Sequence, residues 1–211
     1  MPSIQIQPVT TKHDLRAFVT FPWRVYRHDH NWVPPLISDR LAYLDPTRGP
    51  FYEHADVALF LARRGREMVG TIAAFVDHYR SEHLGQREGG FGFFEVIEDY
   101  AVAEGLLNAV RDWLCARDIP TLRGPTNFGD FDCPGVLIEG MDCPPVMLKA
   151  HTPPYYKDFL GNYSGVSYVN RHIWSAIAQN AVSSYIYPSR ICRVCAFQPI
   201  SAIYGGHQGD A

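Results

Sequence analysis

Nine histidines and five cysteines are the residues of this 211-residue chain with the widest chemical range. Imidazole and thiolate are common transition-metal ligands, and paired thiols carry redox chemistry. The spacing supports neither use. A helical ligand pair needs histidines at i and i+4 with a third ligand nearby. His28-Asp29-His30 and His78/His83 do not supply that. Cys192-x-x-Cys195 is half of a zinc pattern without a second pair, because Cys133 and Cys143 stand too far apart. It also lacks the strand-to-helix setting of a redox pair. No metal is expected. An odd number of widely spaced cysteines argues against a disulfide framework and for a reducing, cytoplasmic compartment. Three polar sites remain. Asn127 follows Gly124-Pro125 in a turn, where its amide can hold a ligand or its own backbone. Glu95, Glu98 and Asp99 crowd the start of a helix, where carboxylates are favoured by the dipole alone. Tyr155 and Tyr156 follow two prolines and suit aromatic packing.

The elements that must position these residues follow from patterning. Ile4 to Val9 alternates as a first strand. Thr11 with Asp14 resembles a capping box, and Leu15, Phe18 and Val19 continue at helical spacing. Pro22 interrupts or restarts that helix. Asn31-Trp32-Val33-Pro34-Pro35 must be extended, and Leu36 to Leu44 can form a short helix. Val57 to Leu61 and Met68 to Val76 flank a polar turn and form a hairpin. A polar loop over 77–89 leads to an aromatic-rich strand, Phe91 to Ile97. Asp99 can cap the clearest helix, whose face carries Val102, Leu106, Leu107, Val110, Trp113 and Leu114 until Pro120. Short strands are expected at Leu122, Val136 to Ile138 and Val146 to Leu148, with a last helix from Pro154 to Leu160.

Composition bounds the function. Net charge is −3, so no basic excess exists for nucleic acid. No apolar run reaches the roughly 18 residues of a membrane span. No basic amphipathic helix argues for membrane contact, and no oligomeric state can be assigned. After Asp158 only Arg171, Arg190, Arg193 and Asp210 are charged, and helical periodicity disappears. That stretch is a docking arm, a weakly ordered end, or a segment that selection never shaped.

The order of elements resembles the GNAT acyltransferase fold. Within it, the chain resembles the bacterial ceramide synthase-like branch. The matching segments are Phe21-Pro22-Trp23-Arg24-Val25-Tyr26, Asn31-Trp32-Val33-Pro34-Pro35-Leu36, Phe51-Tyr52-Glu53-His54-Ala55 and Val69-Gly70-Thr71-Ile72-Ala73-Ala74. Gly92-Phe93-Phe94-Glu95, Leu122-Arg123-Gly124-Pro125, Gly140-Met141-Asp142-Cys143-Pro144-Pro145 and Pro153-Pro154-Tyr155-Tyr156 follow in the family's order. The resemblance implies an α+β class with a mixed, mostly antiparallel sheet flanked by helices over 1–160, and an atypical, poorly patterned tail over 161–211. Relatives carry a second GNAT-like half. The loss of resemblance near residue 162 therefore suggests truncation or a shifted reading frame.

The implied chemistry is transfer of an acyl group from coenzyme A to an amine, including a sphingoid or other long-chain amine. The partner is a small-molecule or lipid amine, and a lipid acceptor would bring peripheral membrane contact. The resemblance places Glu95 where a carboxylate relays the amine proton. It places Tyr155 and Tyr156 where a phenol protonates the leaving thiolate. Asn127, Trp32 and Phe93 are implied substrate-binding residues, with Trp23, Phe91 and Phe94 as further candidates for an acyl-chain tunnel. Val96, Ile97, Tyr100 and Ala101 occupy the cofactor turn. That turn has no glycine here and carries three carboxylates, so this chain is expected to be catalytically incomplete. The alternative is a non-catalytic GNAT-like binding or scaffolding domain.

Overall fold

The computed structural model describes residues 2–129, 132–145 and 149–163, together with the backbone of 166–169 and 184–193. Ile4-Gln5-Ile6-Gln7 forms β1 (Ile4–Pro8), antiparallel to β2 (Ala55–Arg64). Between them lie α1 (Lys12–Thr20), α2 (Pro22–Val25), α3 (Ile37–Tyr43) and a 3-10 turn over Pro50–Glu53. Thr11 caps α1, accepting from the Asp14 N–H at 3.0 Å. Pro22 restarts the chain as α2 because its fixed φ suits a first helical turn. The hairpin of β2 and β3 (Glu67–Asp77) closes at Gly65, whose φ of 63° permits the reversal.

One segment expected to be loop is helical. Residues 77–89 carry α4 (His78–Leu84), capped by Asp77, which accepts from Arg80 N–H at 3.1 Å. Gly85 ends it at φ 62°. It buries no residue and its two large apolar side chains, Tyr79 and Leu84, stay exposed, so apolar periodicity gave no sign of it. The strand expected over Val146 to Leu148 lies outside the described residues.

β4 (Gly89–Val96) continues the sheet antiparallel to β3. α5 (Tyr100–Cys115) then returns the chain to β5 (Thr121–Arg123), which is parallel to β4. β6 (Val136–Glu139), α6 (Tyr155–Asn162), β7 (Val166–Val169) and β8 (Ser184–Arg193) complete the order. The sheet is thus mixed and mostly antiparallel. β8 pairs with β5, β6 and β7, so part of the charge-poor tail joins the sheet. The remaining tail residues, and with them the idea of a shifted reading frame, lie outside the description.

Two cores flank the sheet. On one face, Val102, Leu106, Leu107, Val110 and Leu114 of α5 pack on Val69, Ile72, Phe91 and Val96. On the other, Phe18, Val19, Leu44, Phe51 and Phe128 pack on Leu59, Leu61, Ala73 and Phe75. Trp113, expected on the α5 core face, packs only partly against it and carries the Arg117 guanidinium 3.8 Å from its ring centre.

The α5 N-terminus is closed by its own sequence. Asp99 accepts from Ala101 N–H at 3.0 Å and pairs with Arg64. Both contacts hold the carboxyl below the usual carboxylate range. Asp99→Ala is expected to cost about 1 kcal/mol, since it removes the cap and leaves Arg64 unpaired. A urea titration comparing it with Asp99→Asn, which keeps an acceptor, checks this.

Candidate active site

β3 and β4 lose register between Thr71 and Ala73, and Phe93 there adopts φ 48°. The extra residue is a β-bulge. Upstream of it Phe91 faces α5; downstream, Phe94 and Val96 join that same core. Strict alternation from Phe91 would have put Glu95 under α5 as well. The bulge turns Glu95 to the opposite face, beside Phe93.

The sheet also opens at this point. β4 pairs with β5 only at Gly89 and Gly90. Thr126 N–H still reaches Phe91 O at 2.8 Å. The next contact comes from a side chain: Asn127 Oδ1 accepts from Phe93 N–H at 2.8 Å. Farther along, Val96 N–H donates to the Tyr156 hydroxyl and Val96 O accepts from the Tyr155 hydroxyl, both at 2.8 Å. A wedge of side chains stands where a strand would have continued.

That wedge borders a cavity of about 290 Å³. Six of the sequence-chosen residues, Glu95, Tyr156, Asn127, Trp32, Phe93 and Phe94, lie on its wall. Tyr155 touches the backbone of β4 but not the cavity. Val96, Ile97, Tyr100 and Ala101 stand apart, around the Asp99-capped helix start. Trp32 stacks on Tyr26, ring centres 4.8 Å apart, with Trp23 edge-on at 5.2 Å. Phe91 is core, not wall. The extended Val33-Pro34-Pro35 segment lines the cavity while Val33 and the neighbouring Leu36 stay 65% and 69% exposed. This marks an apolar rim.

Glu95 is the polar focus. Burial pushes its carboxyl up to about 7, and hydrogen bonds from Tyr156 and Tyr26, with the charge of Arg40, oppose the rise. The Tyr156 hydroxyl donates to Glu95 Oε2 at 2.9 Å. Both tyrosines are buried beside Glu95, which drives their phenols well above the usual value and keeps them protonated. The arrangement can accept a proton near neutrality in apolar surroundings. Tyr156→Phe removes the partner of a buried amide as well as a donor to Glu95. A loss of about 1–3 kcal/mol in denaturant unfolding is expected, with a further rise in the Glu95 carboxyl seen by carbon-detected NMR.

The sequence missed one pair. His151 Nε2 lies 2.7 Å from Asp29 Oδ2, and His151 lines the cavity. The partners are 122 residues apart, so spacing gave no hint. Asp29 belongs to the His28-Asp29-His30 run first weighed as a metal site. Among the described residues no group of three or more His, Cys, Asp or Glu gathers, and no helix is long and apolar enough to cross a membrane.

Known proteins resemble this chain in sequence and in fold. The chain is 38% identical over 153 residues to a bacterial ceramide synthase of Caulobacter vibrioides, covering 72% of this chain and 40% of that one. It is 32% identical over 164 residues to protein YghO of Escherichia coli K12, covering 76% and 42%. The chain thus spans about two-fifths of the length of these relatives. Among solved structures, the acetyltransferase YncA of Salmonella typhimurium, determined with its cofactor acetyl-CoA, superposes with a TM-score of 0.55 at 10% identity, over 94% of this chain and 98% of that one. No protein-family profile matches the chain.

Proposed function

We propose, from the premise that this chain is a partial homologue of bacterial ceramide synthase built on the GNAT acyltransferase fold, that its cavity is the acceptor site of an N-acyltransferase. The acceptor is an amine carried on an apolar chain, and the donor is a coenzyme A thioester. One observation carries this reading: a carboxyl held near pH 7 on the wall of an otherwise mostly apolar cavity. An ammonium must shed a proton before its lone pair can attack, and a base titrating near the working pH serves that step well. The donor supplies an activated acyl carbon, whose C–S bond gives way to the new C–N bond. We assign proton donation towards the leaving sulfur to the Tyr155–Tyr156 pair: Tyr156 stands on the cavity wall, and beside it is Tyr155, whose hydroxyl rests on Val96 O. Its burial beside Glu95 and Glu98 keeps its phenol protonated. Asn127 holds the sheet opening at Phe93, while Trp32 and Phe93 offer apolar surface. The exposed Val33 and Leu36 beside that surface support a lipid amine and peripheral membrane contact.

The helix start at α5 does not fit the donor's diphosphate. Its amides serve Asp99, which already supplies an anion, and Arg64 neutralises that anion rather than a ligand. The turn carrying Val96, Ile97, Tyr100 and Ala101, the expected cofactor site, is therefore a poor diphosphate cradle in this chain. The same observation favours a second reading, a GNAT-like domain that binds the amine without reacting it. Calorimetric titration with dodecylamine and with palmitoyl-coenzyme A, alongside a free-thiol assay, separates the readings. Amine binding with thiol release supports acylation. Amine binding alone supports the second reading. Absence of heat from both ligands overturns both.

A further inference from the structure

His151 is a buried imidazole without an assigned task. Its side chain is 4% exposed, and Asp29 holds Nε2 at 2.7 Å. Its Nδ1 is enclosed and has no hydrogen-bond partner among the described residues. A carboxylate beside one ring nitrogen fixes the proton there, which leaves a lone pair on the other. Asp29 is itself held, accepting from Asn31 N–H at 2.9 Å. Its carboxyl lies below the usual range, where the His151 and backbone contacts outweigh the effect of burial. Tyr26 ties the pair to the rest of the wall: its hydroxyl donates to His151 O at 3.0 Å and lies against Glu95. Nothing in the packing requires an unpartnered nitrogen here. A buried polar atom without a partner costs about 1–3 kcal/mol, and because His151 lines the cavity a ligand there can supply the missing bond.

We infer that His151, oriented by Asp29, is a second proton acceptor of the amine site, with Nδ1 as the accepting atom. This rests on the amine-acylation reading and deepens it. An alkylammonium carries two protons that must leave nitrogen before an amide exists. One departs before attack and the other as the tetrahedral adduct collapses. One proton ends on the leaving thiolate and the other passes to water. Glu95 alone would have to be emptied between the two steps. A cavity with a carboxylate and an imidazole on its wall holds both acceptors at once. The other ionisable side chains on the cavity wall are Glu95, Tyr156, Lys149, Arg40 and Cys133, while Asp29 bonds the ring and Tyr26 the His151 backbone.

Side-chain 15N NMR on the full chain, labelled with 15N-histidine and 15N-tryptophan, tests the assignment. In the free protein His151 is expected as the Nε2–H tautomer with a lone-pair Nδ1 signal. Addition of dodecylamine at pH 7 should move that signal towards the protonated range. In Asp29→Asn the tautomer should become mixed and the amine-induced shift should shrink. A proton resident on Nδ1 in the free protein overturns the inference. So does an amine that shifts the Trp32 indole signal and leaves His151 unmoved, a result that spares the acylation reading. If no cavity signal responds, the amine reading itself fails and this inference falls with it.

Discussion

Glu95→Gln should make the protein more stable at pH 8 and leave it unchanged at pH 4, and under the proposed acylation it should remove most of the transfer. The folded carboxyl titrates at about 7, above its ordinary value of 4.5. Between those values the folded state binds the proton and the unfolded state does not. Stability therefore falls as pH rises from about 4.5 to about 7, and is flat above. The penalty at pH 8 is at most about 3.5 kcal/mol, by the conversion of about 1.4 kcal/mol per pH unit. Glutamine keeps the shape and an acceptor for Tyr156 but has no charge to desolvate. Urea unfolding at the two pH values reads the difference directly. Equal gains at both, or none at pH 8, would show that Glu95 is not held protonated by burial. For catalysis, loss of a positioned base costs about 10²–10⁴-fold. A variant that is sturdier and slower together is the signature of a group strained for its task.

The second large effect is expected at Gly92, which has no chemistry of its own. A Cβ there would sit 2.0 Å from Thr126 O and 2.6 Å from Thr126 C. These are backbone atoms, so no side chain can swing aside. Gly92→Ala must push the 124–127 turn away from β4. That breaks the Thr126 bond to Phe91 and the Asn127 bond to Phe93. We expect a loss of about 3 kcal/mol, near the upper end for overpacking, and a fall in melting temperature of roughly 6–12 °C for a chain of this size. Amine binding should weaken as well, because Asn127 and Pro125 line the cavity. Gly129→Ala is the control, since a Cβ there meets nothing within 4 Å. It should change stability by no more than about 0.5 kcal/mol.

What could be read from the sequence was what local chemistry decides. Thr11 and Asp99 cap their helices as their types and positions imply. The α5 face is legible because an apolar stripe on one helix needs no knowledge of its partner. The GNAT-like order of elements followed from such local patterns, and Glu95 could be placed at the end of its strand. What could not be read depends on pairing across the fold. The β-bulge at Phe93 is a relation between two strands, visible only once Thr71 and Ala73 find their partners. The Asp29–His151 contact joins an early turn to a late loop, and neither segment has a pattern that names the other. α4 escaped because it is short and buries no side chain.

The additional residue at Phe93 also says which genetic change this protein tolerates least. Most point substitutions along β4 alter one contact at a time. Removing a single codon at Phe93 would realign every side chain after it, sending Glu95 into the hydrocarbon beneath α5 and a neighbouring apolar group into its place. A lineage that has lost its activity would therefore be recognised by the length of this strand as readily as by the identity of its acid.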